Sequence, residues 1–405
     1  MPLNSKSPPV YAEALWFRLV LIGFAAIGPF SLNIFKPCLP WIKIDLQAPI
    51  EVVQLGLSLS IFAAAIAAAF SGPIADRFGR RHVILYGIYL FILGSLISAI
   101  SPNAAIMVFG RILQAASSSV VLAIARAIVH DVFGEGKSAP IVARITFIVV
   151  LGVLLAPALG GLLIEWVSWR VVFVFSALIG VGLLIPTHTR LKETLCVTDE
   201  PIEKANQEWI GPLLKSPVFY GFAFQSAFRF AVFFAFTSAA SYIMVDILNR
   251  PASEYGLWFI VMAVFAAAGL WTANKVNKSY RSGRVALCGS VIVFVACLIS
   301  AWFLSQPHLT PLTLFLPPSI GAFGIGLALP GSNTGVMEAA PNLAGTASGL
   351  MAFLQMMMAA LFAQLVVQDE SRTPEVLAVI LILGSSCSLF FSLLSMQHGK
   401  IHSRI

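Results

Sequence analysis

Long apolar runs separated by short polar intervals set the pattern of this 405-residue chain. A helix needs about 20 apolar residues to cross a bilayer. Runs of that length fall at roughly 15–36, 51–71, 83–101, 104–127, 139–163 and 170–187, then at 217–243, 254–274, 284–304, 311–335, 345–367 and 374–396. They predict an all-α membrane protein with twelve transmembrane helices. The longest polar break separates the sixth run from the seventh, so two six-helix bundles are expected over 1–187 and 217–405, with 188–216 as their linker. The first run is too long for a cleaved signal peptide, and Asn33-Ile34-Phe35-Lys36-Pro37 offers no small-residue cleavage site.

Composition removes the soluble alternatives. Hydrophobic residues make up 59% and charged residues 11%, against about 25% charged in an ordinary soluble domain. Mean hydropathy is +0.90. The five cysteines (Cys38, Cys196, Cys288, Cys297, Cys387) have no metal-binding or disulfide-framework spacing. No metal or cofactor is expected. The glycines of Gly321-Ala322-Phe323-Gly324-Ile325-Gly326 lie in an apolar helix without a βαβ context, so they bespeak packing or bending and not a nucleotide.

Charge placement sets the expected orientation. With twelve spans both termini share a side, and that side receives most of the 25 lysines and arginines. The opposite side holds Lys36, Lys43, Arg170, Arg250 and Arg372. The asymmetry predicts cytoplasmic termini and accounts for the net charge of +7 without a nucleic-acid partner. Arg111, Arg126 and Arg229 remain within the spans. Gly79-Arg80-Arg81 before the third span has a degenerate counterpart in Gly283-Arg284 before the ninth, as expected for repeated halves.

Between the second and third spans stands Gly72-Pro73-Ile74-Ala75-Asp76-Arg77-Phe78-Gly79-Arg80-Arg81. It resembles the loop signature of the major facilitator superfamily. Gly72 and Gly79 suit close helix approach and a tight turn. Asp76, Arg77, Arg80 and Arg81 can form a charged latch, and the resemblance implies Asp131 as a further member. Gly110-Arg111-Ile112-Leu113-Gln114-Ala115 resembles the family's membrane-embedded arginine motif. Gly152-Val153-Leu154-Leu155-Ala156-Pro157-Ala158-Leu159-Gly160-Gly161 is similar to its antiporter motif, with Ala156 where glycine is usual. Gly152, Gly160 and Gly161 would allow tight packing, and Pro157 a kink. The whole chain is similar to the Bcr/CflA branch, which implies a bacterial inner-membrane, proton-driven exporter of small molecules.

One departure changes the chemistry. Relatives in that branch carry an acid near the end of the first helix, where this chain has Asn33 followed by Lys36. An amide cannot change protonation state. Asp131, Glu165, Asp246, Glu254 and Glu338 all lie near span ends or in loops, and His130 is a further titratable candidate beside Asp131. Cations are better placed. A charge at the centre of a span costs about 2.5–3.5 kcal/mol, so it normally has a function or a partner. Arg229 is twelve residues into the seventh span, roughly 18 Å of helix, with Gln225 one turn before it. Arg126 and Lys36 stand close enough to span ends either to snorkel or to face a cavity.

In the resembled family helices one, four and seven line the central cavity. Asn33, Lys36, Arg111, Gln114, Arg126, Gln225 and Arg229 are therefore the candidate substrate-binding residues. The expected function is secondary transport, by a monomer, of an anionic organic solute such as a polycarboxylate, carboxylate siderophore or acidic metabolite, with protons or a counter-anion as coupling partner. The alternative is a proton-coupled multidrug exporter. No catalytic constellation points to an enzyme.

Overall fold

The computed structural model describes residues 15–194, 216–276, 282–339, 344–367 and 373–399; within these, the side chains at 130, 134–151, 153, 154, 282, 344–346, 373 and 397–399 lie outside the description. His130, Cys196 and most of the expected linker are thus outside the described residues. Every regular element among those described is helical.

The first bundle consists of α1 (Leu15–Phe35), a 3-10 turn (Lys36–Cys38) continuing into α2 (Leu39–Asp45), α3 (Ile50–Phe78), α4 (Arg80–Ala99), α5 (Ala104–Trp166) and α6 (Trp169–Arg190). The second consists of α7 (Pro217–Tyr242) with a π turn (Ile243–Ile247), α8 (Ala252–Val276), α9 (Ser282–Leu304), α10 (Pro311–Glu338), α11 (Ala344–Leu365) and α12 (Thr373–Gly399). Side-chain oxygens start several of them: Asn103 accepts from Ile106 N, Ser168 from Arg170 N and Ser216 from Phe219 N. Pro217 and Pro311 occupy first-turn positions, where a missing N–H costs nothing.

Two departures from the apolar runs bear on the architecture. Helix α3 runs on to Phe78, past the predicted end at 71, because backbone bonding continues after the side chains turn polar. Gly79, with φ of +88°, then ends it. The fourth and fifth runs form one helical stretch, α5, which cannot be a straight rod. Met107 lies against Phe35 across the space that Gly56 leaves, while Gly160 packs on Ile34 and Pro37. A straight helix would set Met107 and Gly160 about 80 Å apart. The chain therefore reverses between Phe133 and Leu155, giving two spans and twelve crossings in total. Eleven helices among the described residues are long and apolar enough to cross a membrane, and Leu155–Trp166 is the described part of the remaining one.

Within the first bundle α5 packs on α1, α3 and α4, and α6 on α4. Within the second α7 packs on α11 and α12, and α10 on α8 and α9. Two seams join the bundles, α5 with α8 and α3 with α11. At the Lys36 end of the molecule one apolar core crosses between the bundles, uniting Ile34, Phe35, Ile42 and Leu57 with Val232, Phe236, Tyr255 and Phe259. At the opposite end, marked by Gly79, the core divides. Phe17, Ala75, Val83 and Val129 belong to a first-bundle cluster, and Phe219, Val336 and Met351 to a second-bundle cluster.

Candidate transport site

Among the described residues three cations lie inside the protein: Lys36 at 0% exposure, Arg111 at 1% and Arg229 at 2%. No aspartate or glutamate is buried among the described residues. The acids are held at helix ends. Asp131 pairs with Arg80, Asp246 with Lys43 and Glu254 with Arg250, while Glu165 accepts from Ser253 N at 2.8 Å.

Arg229 sits midway along α7. One guanidinium nitrogen donates to Ser332 Oγ on α10 at 2.8 Å, and Gln225 Nε2 reaches the same oxygen at 3.3 Å. Ser332 gives its own proton to Ala328 O at 2.9 Å. A hydroxyl has one donor and two acceptor lone pairs, so Ser332 is saturated. Arg229 NH1 and Gln225 Oε1 are left without a partner. Such groups inside a membrane domain are costly until something fills them.

Arg111 has a different setting. Its guanidinium lies 4.2 Å from the Phe35 ring centre and 5.9 Å from that of Phe173. Its NH1 donates to Gln114 Oε1 and, at 3.5 Å, to Ser31 O, while Gln114 Nε2 donates to Ser95 Oγ at 2.7 Å. Its Nε and NH2 have no partner. Rings therefore do much of what an acid would do here. Asn33 bonds back to Pro29 O at 2.8 Å, on its own helix.

Lys36 neither snorkels nor opens onto solvent. Its ammonium crosses to the second bundle, where Thr237 and three phenylalanine rings surround it. Arg126 is exposed, with no hydrogen bond or ion pair described. It shares a helix face with Ser119, seven residues earlier. The candidates thus fall into separate settings: a ring-stacked Arg111 with Gln114, a caged Lys36, a serine-bound Arg229 with Gln225, and an open Arg126.

The loop motif resolves into distinct roles. Arg80 bridges Asp76 at 2.8 Å and Asp131 at 3.3 Å. Arg81 donates to the carbonyls of Leu191 at 2.7 Å and His188 at 2.9 Å, closing the end of α6. Glu193 accepts from Arg80 N at 2.9 Å and Arg81 N at 3.1 Å, so it caps α4. Arg77 lies beside the Phe78 ring, outside this network. A Cβ on Gly79 would meet Glu193 Oε2 at 2.6 Å, whereas Gly72 has nothing within 4 Å.

The antiporter-like motif divides in the same manner. Gly160 faces Ile34 and Pro37 of the α1 end, and Gly161 faces Ala252, where a Cβ would lie 2.6 Å from the carbonyl oxygen. Gly256 of α8 sits against Ala158 and Pro157. Gly152 is open.

Sequence reasoning missed Glu193 as a cap, and it missed the α3–α11 seam. There Gln54 Nε2 donates to Ala363 O and also to Ser238 Oγ of the neighbouring α7, Ser58 Oγ to Gln364 Oε1, and Gln364 Nε2 to Glu51 O. Polar residues inside the second span were the available signal.

Comparison with known proteins settles the family. A model described as "Major Facilitator Superfamily" matches residues 20–363. The chain belongs to that superfamily. Its relatives include an uncharacterized MFS-type transporter of Bacillus subtilis, 28% identical over 97% of this chain and 98% of that one. Multidrug resistance protein D of Escherichia coli is 26% identical over 83% and 84%, and a bicyclomycin resistance protein homolog of Haemophilus influenzae 26% over 88% and 90%. The resemblance to the Bcr/CflA branch is thereby borne out. A solved bacterial homolog of the human lysosomal transporter Spinster superposes with a TM-score of 0.76 at 14% identity, covering 95% of this chain and 96% of that one. The expected twelve-helix facilitator fold is borne out as well, and this facilitator is a multi-pass membrane protein.

Proposed function

We propose that this facilitator moves an organic anion across the inner membrane by alternating access, with Arg229 as the central ligand. The observation that carries the reading is the buried guanidinium of Arg229, which spends one nitrogen on a saturated serine and keeps NH1 unpartnered in a protein with no buried acid described. A carboxylate matches that vacancy in charge and in hydrogen-bonding shape. Gln225 is a turn away, and Arg126 offers a cation on the way to the Gly79 end.

Labelled citrate, as a polycarboxylate probe, should be taken up by proteoliposomes containing the protein. Arg229→Gln should cut uptake by more than about tenfold, since removing one partner of a buried charge pair costs about 2–5 kcal/mol. Uptake unchanged in a variant present at normal membrane level would overturn the assignment. Comparing runs with and without an imposed pH gradient distinguishes proton coupling from anion exchange.

A second reading is favoured by relatives named for multidrug and bicyclomycin resistance. On it the chain exports neutral or cationic drugs, and expression in a pump-deficient host raises resistance to chloramphenicol-like compounds. A flat susceptibility panel would count against it.

A further inference from the structure

The chain forks at the end of α1. Phe35 turns into the first bundle, under Arg111, while the next residue, Lys36, reaches out of it. Its ammonium donates to Thr237 Oγ1 at 3.0 Å and lies 4.5, 5.4 and 5.5 Å from the ring centres of Phe234, Phe259 and Phe233. No carboxylate pairs with it among the described residues. An ammonium brings three donors and is strongly hydrated in water. Only one hydrogen bond is described here, so the ring faces supply much of the remaining compensation.

The receptacle belongs wholly to the second bundle and is braced there. Phe233 meets Phe234 and Phe259 edge-on at 5.8 and 6.1 Å, and Tyr255 donates to Thr237 O at 2.8 Å. Guest and host therefore come from different bundles. The apolar seam around them would close this end with a methionine in the same place. A lysine adds a bond that forms when the bundles meet and is exchanged for water when they part.

We propose that Lys36 is a conformational pin. Closure at this end seats its ammonium in the ring cage of the second bundle, and opening withdraws it. The pin acts in transport as a positioning residue and does not depend on the charge of the solute, so it stands or falls apart from the anion reading.

The test needs no substrate. Ser238 is fully buried beside the cage and bonded to Gln54 of the first bundle, so Ser238→Cys reports opening of this end. The reporter is placed in a protein whose five native cysteines are replaced by serine, and its alkylation by a maleimide is timed in detergent micelles. Lys36→Met, which keeps bulk and removes charge, should speed alkylation about tenfold. Lys36→Arg should stay within about threefold of the parent, and Phe234→Leu should fall between them. Alkylation no faster in Lys36→Met would overturn the pin. Equal acceleration in Lys36→Met and Lys36→Arg would also overturn it, by making fit and not charge the cause. Should Lys36→Met fail to give monodisperse protein, Phe234→Leu with Phe259→Leu decides: faster alkylation supports the pin, and an unchanged rate refutes it.

Discussion

The two ends of the molecule are joined by different means. At the Lys36 end the bundles meet through a shared apolar core, close helix contact at Gly161 and Gly256, and neutral hydrogen bonds from Gln54 and Ser58. The ion pair of Lys43 with Asp246, at 3.0 Å, adds to them. At the Gly79 end the contacts described are largely ionic, and they tie parts of the first bundle to each other: Asp76, Arg80 and Asp131, and Glu193 with the start of α4. The apolar core there is divided between the bundles. A transporter must open one end while the other holds. Short-range packing suits a seam that separates cleanly, because its attraction vanishes within an ångström or two. The charged network instead fastens parts of one bundle to each other.

That contrast can be broken at either end. The largest effect is expected from Gly161→Leu. A side chain there strikes backbone atoms of Ala252 and Ser253, which cannot yield as a flexible tip would. Overpacking of this kind costs typically about 1–3 kcal/mol. The distance between spin labels on α5 and α8 should lengthen and transport should fall away; an unchanged distance would mean that the seam is looser than its geometry.

Arg80→Gln should act on the other end alone. Two ion pairs are lost, each partly solvated and together contributing about 1 kcal/mol. The melting temperature should drop by about one degree with the α5–α8 distance held. A lengthening as large as that from Gly161→Leu would erase the distinction between the ends. Smallest is Glu193→Gln, which keeps an acceptor for the α4 amides but removes the charge at the helix start, worth about 0.3–1 kcal/mol. Its effect on melting should shrink further at high salt.

Much of the architecture was readable in the sequence because bilayer thickness fixes the length of an apolar run. Arg111 and Arg229 could be marked as buried cations for the same reason, being cations inside such runs. The setting of Lys36 could not be read. Its rings come from Phe233, Phe234 and Phe259, some two hundred positions away, and span-end position alone left snorkelling and burial equally open. Glycines show the same limit. Gly79 and Gly161 answer to close neighbours, yet Gly72 and Gly152, set in equally suggestive motifs, have none within 4 Å among the described residues. What a glycine is for depends on the helix opposite it. Glu193 was hidden in a run of mixed charges, where its task depends on the α3–α4 turn folding beneath it.

That carboxylate has a mechanical consequence. Together Glu193 and Arg81 moor the strand leaving α6 to the turn between α3 and α4. The first few residues past α6, up to Glu193, are therefore fastened to the first bundle as cargo. Residues 191–193 thus add no free length to the chain that follows α6.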